Sequence, residues 1–315
     1  MTTGTPRVPD FYIVGAPKAG TTAMYEYLRT HPDLYLPERK ELRYFGSDLD
    51  IRDRQPLTAE QYLAYFAPAQ PDALIGTAYV WYLYSRRAAA EIAQFSPGAR
   101  IIAMLRNPVD MLPALHGEHI ANGNEDITDF TAALDAEPER RAGRSIPPHA
   151  HLPQGLWYTD VPRYAEQLER YFAVFGLERV RVILFDDFVA DTAATFRDTL
   201  DFLGVRREFG PEAFEPVNVS RRIRSERFRH FLARPPRLPR LIIRTFVPGR
   251  LRRSAYERAK RMNIEVAARQ PIPPATVDRL RTTFAPEIAR LSTLLDRDLT
   301  ALWLGQAASA RRKMP

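Results

Sequence analysis

A mostly parallel β-sheet flanked by helices, an α/β fold, is what this sequence predicts, and three observations carry it. Short apolar runs rich in β-branched residues alternate with helical stretches through the first two hundred residues. The first of these runs, Phe11-Tyr12-Ile13-Val14, leads through a glycine-bounded loop directly into a helical stretch. At 315 residues and 45% hydrophobic content, the chain can bury one full core.

The elements follow in order. After the strand at Phe11 to Val14, a helix is expected from about Thr21 to Thr30. A weaker strand surrounds Ala73 to Thr77. A helix over Ser85 to Phe95 precedes the strand Ala99 to Leu105. Pro162 to Phe175 is amphipathic, with Tyr164, Leu168, Tyr171, Phe172 and Phe175 on one face. The strand Val180 to Phe185 follows it, and then a helix from Thr195 to Leu203, stopped by Gly204.

Two stretches break the alternation. Gly123 to Pro153 is polar and charged and reads as a long surface excursion, of the kind that forms lids or binding loops. Pro235 to Pro248 interrupts an arginine-rich segment, which is expected to form two short helices around a proline-rich turn. The whole chain, 1–315, reads as one domain: a core over about 9–210, an arginine-rich helical lid or appendage over about 218–270, and a C-terminal helix over about 274–303.

Composition narrows the chemistry. There are no cysteines, which excludes disulfides and thiolate metal sites. Met1 to Arg7 holds no apolar run that would serve as a signal peptide, and no stretch approaches the ~20 apolar residues of a membrane span. A cytoplasmic protein is the expectation. The net charge of +7 is concentrated, because Arg221 to Arg261 holds fifteen Arg and Lys against two acids. An electrostatic partner would dock there.

The loop Gly15-Ala16-Pro17-Lys18-Ala19-Gly20-Thr21-Thr22 nearly matches a nucleotide phosphate loop. A Walker A motif needs Gly, four residues, Gly, then Lys and Ser/Thr. Both glycines and Thr22 fit, but Thr21 fills the lysine slot and the only lysine, Lys18, lies inside the loop. Small residues let backbone N–H groups approach an anion, and the opening helix presents its positive end to it. The pattern argues for a nucleotide whose reacting group is not the γ-phosphate of ATP. Three other readings stay open from the residues alone: a bare strand-to-helix turn with Lys18 solvated, a P-loop kinase using ATP and magnesium, and a non-catalytic basic module binding an anionic polymer or membrane through the arginine-rich segment.

Taken with further segments, this loop resembles that of the sulfotransferases that use 3′-phosphoadenosine 5′-phosphosulfate (PAPS). The resemblance spans Phe11 to Thr22, Lys40-Glu41-Leu42-Arg43-Tyr44-Phe45, Trp81-Tyr82-Leu83-Tyr84, Leu105-Arg106-Asn107-Pro108-Val109-Asp110, Val182 to Phe188 and Phe202-Leu203-Gly204-Val205. It implies a P-loop-like nucleotide-binding sulfotransferase fold, PAPS as donor with no metal, and a small-molecule or carbohydrate hydroxyl as acceptor. No nucleic-acid partner is expected, and the oligomeric state is not indicated.

The resemblance also implies roles. Pro17, Lys18, Ala19, Gly20, Thr21 and Thr22 would hold the 5′-phosphosulfate, with Lys18 stabilising charge on the leaving oxygen. Arg106, at a strand end, would bind the 3′-phosphate. Glu41 is the first candidate for general base, with His116 and His119 in reserve. The family's usual Ser eight residues past this Arg is Ala114 here, and a Glu often found at position 77 is Thr77. An arginine from the 221–224 run, Arg221 or Arg222, would compensate as a donor-binding group. Asp186-Asp187 reads as helix-capping acids rather than a magnesium site, and His149 and His151 lack a third metal ligand. Tyr44, Phe45, Trp81, Tyr82, Trp157 and Tyr158 would suit stacking on an acceptor ring.

Overall fold

The computed structural model describes residues 7–52, 55–211, 213–214, 221–223, 264–266 and 272–305. Five parallel strands form the central sheet: β1 (Phe11–Gly15), β2 (Leu34–Tyr35), β3 (Leu74–Ala78), β4 (Arg100–Leu105) and β5 (Val180–Leu184). Their order is β2-β3-β1-β4-β5. Every β1 residue is buried, as expected of a strand with a neighbour on each side and helices over both faces. Gly76 is required where β3 meets β1, since an added Cβ would lie 2.1 Å from the Phe11 ring.

The chain runs outward from β1 to β2, returns through β3, then crosses β1 to reach β4. The carboxyl end of β1 is therefore the switch point of the sheet, where an open α/β sheet leaves a crevice for a ligand. The loop singled out in the sequence starts there.

The helices are α1 (Thr21–Arg29), α2 (Ala59–Ala64), α3 (Ala88–Phe95), α4 (Pro108–Asn122), α5 (Phe130–Asp135), α6 (Glu137–Arg141), α7 (Tyr164–Phe175), α8 (Phe185–Ala190), α9 (Thr192–Leu203), α10 (Pro274–Leu294) and α11 (Leu299–Leu304). Local chemistry sets their ends. Asn107 caps α4 by accepting from Val109 N at 3.0 Å, Pro108 takes its first position, and Gly123 stops it at φ 77°. Asp191 caps α9 through Ala194 N at 2.8 Å, and Gly204 stops it at φ 73°. The helix expected from Ser85 begins only at Ala88, because Ser85 Oγ accepts from Arg87 N and Ala88 N and so stands before the first turn. The single helix expected over 274–303 breaks after Leu294; Asp298 caps the second piece through Ala301 N at 2.8 Å.

The excursion from Gly123 to Pro153 needs correction, since it is folded onto the core. It carries α5 and α6, and Arg140 makes a two-pronged ion pair with Glu125 at 2.6 and 2.7 Å, both side chains fully buried. Tyr158 Oη and the N–H groups of Asp126 and Ile127 also donate to that carboxylate, each at 2.9 Å.

Of the arginine-rich segment, β6 (Arg221–Ile223) and β7 (Ile264–Val266) form a two-stranded antiparallel sheet, with β6 beside α4. The helical lid expected over about 218–270 and the turn at Pro235 to Pro248 otherwise lie outside the described residues. No described helix is long and apolar enough to cross a membrane.

Candidate active site

The loop leaves β1 at Gly15, φ 151°, where an added Cβ would lie 2.7 Å from the Val80 carbonyl oxygen. Ala16 N donates to Met104 O at 2.6 Å, which ties the loop to β4. Pro17 and Ala19 are buried. Gly20, φ 89°, precedes α1, and a Cβ there would come within 3.1 Å of the Phe188 ring. No side chain caps α1, and its first turn holds no acid. Among the described residues the N–H groups at the start of α1 have no side-chain cap, an arrangement that leaves them open to a phosphate.

Three cations converge on this cradle. Lys18 Nζ donates to Glu118 Oε2 at 2.6 Å, and the Lys18 carbonyl accepts from Arg106 Nη1 at 3.1 Å. The Arg106 guanidinium also lies over the Phe185 ring, 4.4 Å from its centre. Lys40 Nζ donates to Thr22 Oγ1 at 3.3 Å, Thr21 Oγ1 at 3.4 Å and Glu41 Oε1 at 2.5 Å. Glu41 is fixed at its other oxygen by Val80 N at 3.0 Å.

Among the described residues, the non-glycine positions with positive φ are Lys18, Glu41, Ser145 and Asp296. Two of these four lie in the cradle. Left-handed backbone in a residue with a Cβ costs on the order of 1 kcal/mol or more, and it persists where surrounding contacts over-determine it.

The structure brings Lys18, Glu41 and Arg106 to the loop at Pro17 to Thr22, and it separates His116 from them. Glu118, two residues further along α4, faces Lys18, so His116 points roughly 200° around the helix from it. His116 is buried, its Nε2 is 2.8 Å from Ile127 O, and its ring packs against Phe130 and Tyr158. As a general base it is corrected to a residue that anchors the 125–130 segment. His119 is likewise buried, with Nε2 3.2 Å from Gly155 O. Burial pushes its pKa down to about 4 and also lowers that of His116.

Arg221 and Arg222 pair through their backbones with Val266 and Glu265; their side chains lie outside what is described. Asp187 forms an ion pair with Arg297, and Asp186 accepts from Trp303 Nε1 at 3.0 Å, so both acids hold the C-terminal helices. Among the described residues no group of three His, Cys, Asp or Glu could hold a metal ion. Of the aromatics, Phe45, Tyr82 and Tyr158 are buried and Tyr44 stacks on Tyr62, which leaves Trp81 and Trp157 half-buried.

Sequence reasoning did not assign Glu118, Phe185 or the cationic role of Lys40. A signal for Glu118 existed. It lies four residues past Ala114, hence on the same face of the helix.

No protein-family model matches the chain. It is 27% identical over 212 residues to mouse heparan sulfate glucosamine 3-O-sulfotransferase 3B1, covering 65% of this chain and 48% of that protein. It is 26% identical over 252 residues to mouse carbohydrate sulfotransferase 15, covering 63% of this chain and 44% of that protein. The chain thus spans about half the length of the curated relatives it matches. The crystal structure of a sulfotransferase from Alicyclobacillus acidocaldarius is similar over nearly the whole chain, with a TM-score of 0.69, 28% identity, and coverage of 94% of this chain and 98% of that one. A glycine-bounded loop with its lysine inside, at the switch point of a parallel sheet, agrees with these likenesses: the chain is similar to sulfotransferases in sequence and in fold.

Proposed function

We propose that this protein transfers the sulfuryl group of PAPS to a hydroxyl of a carbohydrate acceptor. The observation that carries the reading is the placement of Lys18. It sits within the loop with its carbonyl held by Arg106, while the Walker lysine slot is taken by Thr21. The likeness to carbohydrate-acting sulfotransferases supports a sugar as acceptor.

The donor supplies an activated sulfur bonded through oxygen to a 5′-phosphate; that S–O bond breaks as the acceptor oxygen bonds to sulfur. The chain's own groups divide the remaining work. The uncapped N–H groups of α1 hold anionic oxygens. Lys18 opposes the negative charge that develops on the departing phosphate oxygen. Arg106, kept rigid by Phe185 and the Lys18 carbonyl, offers a planar cation to a second phosphate beside the loop. Glu41 takes the proton from the acceptor hydroxyl, its carboxylate aimed by Val80 N.

The test is isothermal titration with adenosine 3′,5′-diphosphate, and separately with ATP and magnesium, on the wild type, Lys18→Ala and Arg106→Ala. Binding of the diphosphate, weakened about tenfold or more in both variants, is expected, with transfer of radiolabelled sulfate from PAPS to glucosamine-containing oligosaccharides. Preference for ATP with magnesium, or no binding of the diphosphate, would overturn the reading.

A further inference from the structure

Thr21 occupies the position where a Walker A loop carries its lysine. The fold brings a lysine to the same place from another element. Lys40, in the segment between β2 and α2, places its ammonium 3.4 Å from Thr21 Oγ1 and 3.3 Å from Thr22 Oγ1, with only 14% of the side chain exposed. A cation at this point works against the dipole of α1, whose amino end is itself positive. Pairing with Glu41 offsets that cost. Pairing with Glu41 alone does not account for the position, because a lysine could meet that carboxylate without approaching a helix start.

We infer that Lys40 is a second cation of the donor site and contacts the anionic group held at Thr21 and Thr22. This rests on the reading of the loop as the donor site. An anion over the first turn of α1 satisfies both the helix start and the ammonium, and removes the conflict between them. It also loosens Lys40 from Glu41, so that the carboxylate becomes free to accept a proton when the donor is in place. Each loop-facing lysine then has its own carboxylate to leave: Glu118 for Lys18 and Glu41 for Lys40.

The experiment is titration of the full chain with adenosine 3′,5′-diphosphate, comparing the wild type with Lys40→Met, Lys40→Gln, Lys40→Arg and Glu41→Gln. Lys40→Gln keeps a donor for the two threonine hydroxyls and guards against a folding defect in Lys40→Met. The expected result is a loss of about tenfold in affinity for Met and Gln, retention within about threefold for Arg, and no loss for Glu41→Gln. Unchanged affinity in Lys40→Met and Lys40→Gln would overturn the inference and leave Lys40 as a partner that positions Glu41. Failure of the wild type to bind the diphosphate would instead remove the donor-site reading.

Discussion

Lys18, inside the loop that follows β1, and Glu118 of α4 lie a hundred residues apart in sequence and meet at 2.6 Å. The loop lysine is thus held at both ends, its carbonyl by Arg106 and its ammonium by a carboxylate from α4. Neither partner of the ion pair is deeply buried: the lysine side chain is 27% exposed and the glutamate 44%. Such pairs contribute about 0.2–1 kcal/mol. The contact is weak enough for an incoming anion to displace.

Glu118→Gln should therefore tighten binding of adenosine 3′,5′-diphosphate, by about two- to fivefold, because the internal competitor for Lys18 is gone. The same change made on Lys18→Ala should have no effect on affinity. Calorimetry on the four proteins of this cycle checks it. Weaker binding in Glu118→Gln would show that the carboxylate supports the donor site rather than competing with it.

Arg140→Met should destabilise the fold by about 3–5 kcal/mol, since it strands the Glu125 carboxylate in a fully buried position. Replacing both partners, Glu125→Leu with Arg140→Met, should recover most of the loss, because no buried charge is then left unpaired. Urea unfolding of the single and double variants measures it, and a single-variant loss below about 1 kcal/mol would contradict the prediction.

The acid limb of stability should begin near pH 6.5. Burial holds His119 neutral down to about pH 4, whereas in the unfolded chain it takes up its proton near 6.5. Between those values the unfolded state binds more protons, so stability falls with pH across that window and levels off below about 4. The effect is on the order of 3 kcal/mol for His119. His116, lowered by the same cause, acts in the same direction. Glu125 adds a separate, more acidic loss. Burial raises its pKa, but hydrogen bonds from Arg140, Ile127 and Tyr158 more than offset this and hold it below the usual glutamate value of 4.5. Its contribution is complete above that value and is lost as pH falls below it. Thermal unfolding of wild type and His119→Gln from pH 8 to 4 tests this, and a variant whose limb between 6.5 and 4 is as steep as the wild type's would refute it.

Local elements were readable from the residues because their causes are local. Phe11 to Val14, Ala99 to Leu105 and Val180 to Phe185 are apolar runs that can only be buried, and each is a strand within a residue or two of expectation. Gly204 ended its helix as anticipated, since the turn it makes needs a left-handed backbone. β2 escaped notice: it is two residues long, and Leu34 and Tyr35 become a strand only by pairing with Leu74 and Ile75. The polar stretch after Gly123 folds onto the core against its surface-like composition for a related reason. Glu125 and Arg140 each look like surface residues, and only their meeting makes burial tolerable.

The sequence by itself determined the sheet-and-helix alternation, the glycine-bounded loop with its displaced lysine, and the position of Arg106 at a strand end. These follow from hydrophobic period and from what glycine alone allows in the backbone, properties of a few adjacent residues. Tertiary structure decided which charges meet. Glu118 rather than His116 faces Lys18, and Lys40 reaches Thr21 and Thr22. The rotation of α4 and the path of the chain after β2 set those pairings, and both depend on how the whole core packs rather than on any neighbouring residue.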